Sequence, residues 1–249
     1  MDLAQKTALV TGGTRGIGAA TAIALAKAGA NVAIVGRRLD DDGKNTQNVI
    51  VALGRRCEII LSDCGKSEEA ARCVRDTESR LGSVDVLVHS AGGPVNGGLF
   101  DLTPEAWHAA FDVHVHAIFH LCRAVIPAMR TKREGAIILV SSVAGMRGIP
   151  SNVAYQVVKG ALPQFTRALA REFANDNIRV NCVAPGVIRT ALHAAMSKEQ
   201  YQLNIDHRIP LHREGMPRQV AELILELVKN DYLTGESMTI DGGLTMRIA

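Results

Sequence analysis

The chain has 249 residues, 47% of them hydrophobic, which is enough for a substantial core, and a single domain spanning residues 1–249 is expected. Its 28 lysines and arginines against 25 aspartates and glutamates leave a net charge of +3, too little to argue for a nucleic-acid or membrane partner. Five cysteines (Cys57, Cys64, Cys73, Cys122, Cys182), odd in number and without a CxxC pair, argue against a disulfide framework or a zinc site and fit a reducing compartment.

No apolar leader-like core opens the sequence, and KTALV already reads as a strand. The longest apolar runs fall far short of a membrane span, so a soluble, cytoplasmic protein is expected. Short apolar runs then follow one another as TALV, VAIV, EIIL, VLV, AIILV, IRVNCV and SMTI. Between them lie stretches of helical periodicity, among them residues 19–28, 68–81 and 107–129. This alternation predicts an α/β fold, a mainly parallel sheet covered by helices on both faces, with ligands beyond the carboxyl ends of the strands.

Directly after the first run comes TGGTRGIG, where Gly12, Gly16 and Gly18 permit a tight turn, a close backbone approach and close packing of the next helix. A phosphate can bind at that helix N-terminus, where free N–H groups and the helix dipole favour an anion. At the end of the second run, a chain selecting NAD would place an acid for the ribose hydroxyls. Gly36 stands there instead, followed by Arg37 and Arg38, and Arg15 lies in the glycine loop. Guanidinium groups from two loops suit a 2′-phosphate, so NADP is preferred and NAD is the less favoured cofactor.

Tyr155 and Lys159 are four residues apart in a helical segment whose buried stripe is Leu162, Phe165, Leu169 and Phe173, so their side chains share a face. A free phenol titrates near pH 10, and lowering it by about three units takes roughly 4 kcal/mol of preferential phenolate stabilisation. Two charges about 4 Å apart gain only about 1 kcal/mol in bulk water but about 4 kcal/mol at the effective dielectric of a protein site, so such a pair must exclude water.

The glycine pattern TGxxxGxG, the Tyr155–Lys159 pair in YxxxK spacing, Ser142 thirteen residues before the tyrosine, Pro185–Gly186 and a C-terminal TG…DGG segment come in one order. Together they resemble the short-chain dehydrogenase/reductase family nearly end to end. The resemblance implies a Rossmann-type, doubly wound, mainly parallel seven-stranded sheet. It also implies hydride transfer between a nicotinamide and a carbonyl or alcohol carbon, with Tyr155 as acid/base, Lys159 on the nicotinamide ribose, and Ser142, rather than its neighbour Ser141, on the substrate oxygen. Cofactor contacts are implied for Gly12, Thr14, Arg15, Gly16, Ile17 and Gly18, for Arg37 and Arg38, for Asp63 beside the adenine, for Ala91 and Gly92, and for Pro185, Gly186, Val187, Ile188 and Thr190.

The chain departs from the family pattern at His114, Ser90 and Pro163, and the stretch from Leu227 to Thr234 is a little shorter than in typical relatives. His114 stands where the family usually has an asparagine that holds a water in the proton relay; a histidine can serve there through either nitrogen, and one that titrates would add an ionisation near neutral pH. HSAG (residues 89–92) replaces NNAG, with Ser90 in place of an asparagine. Pro163 deletes the helical bond to the Lys159 carbonyl, at about 3 kcal/mol, so either the helix kinks after the lysine or it tolerates the loss.

The run HVHAIFH places His114 and His116 far apart around a helix, and only His116 and His120 share a face, so no metal is expected. A lid at about residues 190–215 is expected to carry Leu192, Met196, Tyr201, Leu203 and Ile209. The pocket floor is expected to include Gly93, Pro94, Met146, Arg147 and Val187, a largely apolar set suited to an aliphatic carbonyl or alcohol, with Met146 and Arg147 as substrate contacts. The closest general resemblance is to 3-oxoacyl thioester reductases, and the family implies a homotetramer built on the two long helices and the segment around Gly242. Two other classes remain: a dinucleotide-binding regulator without catalysis, and a lyase or epimerase using the same tyrosine.

Overall fold

All seven apolar runs are strands in the computed structural model, which describes residues 1–190 and 196–246. They are β1 (Thr7–Thr11), β2 (Asn31–Gly36), β3 (Cys57–Leu61), β4 (Val86–His89), β5 (Gly135–Val140), β6 (Ile178–Pro185) and β7 (Ser237–Ile240). Every pairing is parallel, in the order β3-β2-β1-β4-β5-β6-β7. The chain direction across the sheet reverses between β1 and β4, and in open α/β sheets the ligand crevice lies outside the carboxyl ends of the strands at such a switch point.

Successive residues of a strand feed opposite cores. Leu9, Leu87, Ile137 and Leu139 pack on one face with α3 (Ser67–Leu81), α5 (Ala117–Lys132) and α6 (Val153–Phe173). Val10, Val88 and Ile138 pack on the other with α1 (Gly16–Lys27), α2 (Asp41–Ala52) and α8 (Pro217–Lys229). The strands are therefore apolar on both sides, which is why they read as continuous runs rather than alternating ones.

The helix read at residues 107–129 is longer than its periodicity indicates. Thr103 caps α4 (Pro104–Phe111) by accepting from the Ala106 N–H at 3.2 Å; a π-helical turn, Asp112–His116, joins α4 to α5. The resulting 29-residue helix contains an 18-residue stretch of mean hydropathy 1.3, long and apolar enough to cross a membrane by length and composition only. Its apolar side (Ile118, Leu121, Val125, Met129) is buried against the sheet, which accounts for the hydropathy. The helix carrying Tyr155 runs unbroken through Pro163, so of the two readings left open at that position the structure shows tolerance.

Candidate active site

The glycine loop is shaped by backbone contact. Gly12 has φ +65°, and a Cβ there would lie 2.9 Å from the Ala91 Cα; a Cβ on Gly18 would lie 2.1 Å from the Gly12 carbonyl oxygen. The first helical turn thus rests directly on the loop, as the glycine spacing predicts. Arg15 precedes α1 without a side-chain cap, and the first turn has no acid, so its N–H groups meet no competing carboxylate. This is a cradle suited to a dinucleotide pyrophosphate.

Thr14 is held under the loop: its carbonyl accepts from the Thr46 hydroxyl at 3.1 Å, and a Cβ on Gly36 would come within 3.0 Å of its methyl group. Arg15, Arg37 and Arg38 are exposed at the ends of the neighbouring strands β1 and β2. Asp63 occupies a turn, accepting from the Gly65 N–H at 3.3 Å and donating its own N–H to Glu69 at 2.7 Å. Across the crevice, the Thr190 methyl would lie 3.5 Å from a Cβ on Gly16, so the segment after β6 faces the glycine loop.

Three elements bring the expected catalytic residues together. Ser142 follows β5 and begins a short 3₁₀ turn (Val143–Gly145), its Oγ accepting from the Ala144 N–H at 3.2 Å. Tyr155 lies in the first turn of α6; Lys159, one turn on, is 6% exposed, with Nζ 5.7 Å from the centre of the phenol ring and donating to the Val140 carbonyl at 2.7 Å. Burial raises the phenol above its ordinary value, while a hydrogen bond with Ser142 acts in the opposite direction. Desolvation lowers the Lys159 ammonium to about 8.

His114 is the fourth member. It lies in the π turn, 1% exposed, with its ring edge-on to Tyr155 at 5.7 Å between centres. A carbonyl can only accept, so the 3.1 Å contact to Gly93 makes Nε2 the donor. Nδ1 is then an acceptor, buried and without a partner. A Cβ on Gly92 would overlap this ring at 2.1 Å, so that glycine makes room for the histidine. Desolvation, followed by the charges of Lys159 and His89, lowers His114 to about 3. At that value the imidazole is neutral near pH 7, so the condition under which His114 would add an ionisation there is not met.

His89 is the residue the sequence reading missed. The HSAG departure was its only signal, and that reading followed Ser90. His89 is 1% exposed at the end of β4; its Nε2 donates to the Val113 carbonyl inside the π turn at 3.0 Å, and its Nδ1 accepts from the Thr11 hydroxyl at 2.9 Å. Thr11 in turn accepts from the Ala91 N–H at 3.2 Å. One imidazole thus ties the strand before the glycine loop to the turn that carries His114. Burial first, then Lys159, lowers His89 to about 3.

On the substrate side, Arg147 donates to the Thr245 carbonyl at 3.1 Å and the Met146 sulfur accepts from the Thr239 hydroxyl at 3.6 Å, so both lean on the C-terminal segment. The base of the expected lid is clamped: Arg189 N–H donates to Gly215 at 2.8 Å, Gly215 N–H to Val187 at 2.9 Å, and Arg189 pairs with Glu214 at 3.0 Å. Ile188 and Ile209 are buried there, whereas Tyr201 and Leu203 on α7 (Lys198–Leu203) are exposed. The Met196 sulfur accepts from Asn204 at 3.3 Å, and Leu192 lies outside the described residues. Pro185 ends β6, and Gly186 N–H donates to Ile240 at 2.9 Å. Ile17 is half-buried against the core beside β1. His116 pairs with Asp112 at 2.8 Å, and among the described residues no group of three or more His, Cys, Asp or Glu side chains is placed to hold a metal ion.

A switch-point crevice that joins a glycine cradle to a serine, a tyrosine and a buried lysine defines a dinucleotide-dependent oxidoreductase. Residues 12–245 match the family described as Enoyl-(Acyl carrier protein) reductase. The chain is 34% identical to the 3-oxoacyl-[acyl-carrier-protein] reductase FabG of Chlamydia trachomatis, over 97% of this chain and 98% of that one. Among solved structures, a putative short-chain alcohol dehydrogenase from Sinorhizobium meliloti superposes with a TM-score of 0.94 at 35% identity, covering 99% of each chain. The L-sorbose reductase of Gluconobacter frateurii, solved with NADPH and L-sorbose, superposes with a TM-score of 0.91 at 30% identity over the whole of both chains. The chain belongs to the short-chain dehydrogenase/reductase family and is an oxidoreductase.

Proposed function

We propose that the protein reduces a carbonyl, or oxidises the corresponding secondary alcohol, with NADP as cofactor, and that its substrate is a 3-oxoacyl thioester or a small aliphatic ketone. The observation that carries this reading is the convergence of Ser142, Tyr155, Lys159 and His114 at the strand ends that also hold the glycine cradle. Bound NADPH supplies the hydride. Ser142 holds and polarises the substrate oxygen, and Tyr155 Oη delivers the proton to it. Lys159, buried beside the phenol, contributes positive charge where water cannot screen it. His114 Nδ1, an acceptor without a protein partner, suits a water that returns the proton.

Gly36 in place of an acid, with Arg15, Arg37 and Arg38 exposed around it, favours the 2′-phosphate of NADP over the bare ribose of NAD. The Chlamydia trachomatis relative is named for a 3-oxoacyl-[acyl-carrier-protein] substrate, and the sorbose reductase was solved with NADPH. Both fit the proposal. An assembly of four copies through α4, α5, α6 and the C-terminal segment is part of it. An open groove of about 770 Å³ runs between α5 and α6, lined by Phe119, Ile126, Phe165, Leu169 and Phe173, and Phe119 is 47% exposed. Five free, buried cysteines suit a cytoplasmic setting.

The test is titration of the purified protein with NADPH and then NADH, followed by nicotinamide fluorescence. Tighter NADPH binding that falls about tenfold or more in Arg37→Ala, with NADH binding unchanged, is the expected result. Equal or tighter NADH binding would sink the 2′-phosphate assignment, and binding of neither would sink the cofactor reading. Short 3-oxoacyl thioesters, ketones and sugars are then screened for loss of nicotinamide absorbance.

A further inference from the structure

Pro163 lies in the interior of α6, where it has no N–H to give the carbonyl four residues earlier, that of Lys159. That carbonyl is nevertheless satisfied. The Ser141 hydroxyl, 3% exposed, donates to it at 2.7 Å. A bond that would ordinarily stay inside the helix is thereby handed to the residue just past the end of β5.

The surroundings make this a close joint. A Cβ on Gly145 would lie 2.6 Å from the Gly160 nitrogen and 2.8 Å from the Lys159 carbonyl oxygen, so the turn after Ser142 rests backbone to backbone on the lysine's own turn. Ser141 is itself anchored, its N–H donating to the Val183 carbonyl at 2.8 Å. Three consecutive residues therefore address the pair on α6: Val140 O takes the Lys159 ammonium, Ser141 Oγ takes the Lys159 carbonyl, and Ser142 meets the Tyr155 phenol.

We propose that Ser141 is a positioning residue, and that Pro163 is what makes it one. By removing the helical donor to the Lys159 carbonyl, the proline leaves that turn of α6 to be registered against the end of β5 by the Ser141 hydroxyl, which sets the distance from the lysine head to the phenol. The proposal rests on Tyr155 and Lys159 acting as the acid/base pair, but it can be read without substrate or cofactor.

The test is a double-mutant cycle in the full-length protein, with Ser141→Ala, Pro163→Ala and the pair. The ultraviolet phenolate signal of Tyr155 is titrated in each, with the matching Tyr155→Phe protein subtracted, and thermal stability is measured alongside. With Pro163 present, Ser141→Ala moves the Tyr155 midpoint because the lysine head beside the phenol is displaced, and Ser141→Thr restores it. Once a substrate is in hand, kcat falls about tenfold with KM unchanged. In the Pro163→Ala background, where a main-chain N–H takes over the carbonyl, the same Ser141→Ala change moves the midpoint little and kcat less than about twofold.

An unchanged Tyr155 midpoint, a loss of stability alone, or equal effects in both proline backgrounds would overturn the proposal. If Ser141→Ala does not fold, the double variant decides: folding with a parental midpoint supports the coupling, and failure to fold overturns it. Should the protein prove to catalyse no redox reaction, the oxidoreductase reading fails on turnover while the titration still answers for Ser141.

Discussion

The two halves of the crevice are built by different means. Around β1 and β2, the backbone itself is the material: Gly12 and Gly18 let loop and helix touch, and Gly36 lies against Thr14. Around β4 and β5, helices whose regular hydrogen-bond ladder is interrupted beside the site are held by buried side chains at strand ends. His89 takes the Val113 carbonyl of the π turn, and Ser141 takes the Lys159 carbonyl freed by Pro163. Close approach makes a site that a phosphate can enter; side-chain-to-carbonyl bonds make one whose reacting groups keep a fixed distance.

The largest effect that sharpens this contrast comes from Tyr155→Phe, which removes the proposed proton donor and leaves the glycine cradle intact. Turnover is expected to fall about a thousandfold, on the order of 4 kcal/mol, while NADPH fluorescence titrates as in the parent. A comparable loss of cofactor binding would show that the two halves are not separable. The converse change is Gly18→Ala, whose Cβ would lie 2.1 Å from the Gly12 carbonyl oxygen. Overpacking of that kind costs on the order of 1–3 kcal/mol, and NADPH binding is expected to weaken about 10- to 100-fold with the Tyr155 titration unmoved.

A smaller effect separates the histidines from the rest. His89 and His114 are held near 3 in the folded chain, against about 6.5 unfolded. As pH falls through about 6.5 the unfolded chain takes up protons that the folded chain refuses, so stability is lost toward acid, at about 1 kcal/mol per pH unit for each histidine. Urea unfolding at about pH 7 and about pH 5 measures the slope. His89→Asn is expected to reduce it, and an unaltered slope would remove His89 from this account.

The smallest effect is on the alkaline side. Lys159, lowered to about 8, carries its charge below that pH and loses it above, so a rate that depends on the ammonium falls about threefold between about pH 7.5 and 8.5. A break near 6.5 instead would return the ionisation to a histidine.

The same contrast explains what was legible beforehand. The phosphate cradle could be read because glycine is chosen for the absence of a side chain, and that absence is local information: Gly12, Gly16 and Gly18 announce a close approach whatever their partner. The Tyr155–Lys159 pair could be read because four residues of helix set their direction. His89 and Ser141 could not be placed, since the carbonyls they serve, Val113 and Lys159, lie 24 and 18 residues away in sequence. The π turn was equally hidden, because apolar periodicity over residues 107–129 is blind to one slipped hydrogen-bond register.

The sequence by itself determined the seven strands, the faces they bury and the order of the chemical groups along the chain, because hydrophobic period and glycine placement are properties of neighbouring residues. Only the tertiary structure decided that His114 is neutral and that Pro163 is tolerated. Desolvation of an imidazole and satisfaction of a carbonyl depend on what other segments bring to the same place, here His89 from β4 and Ser141 from the end of β5.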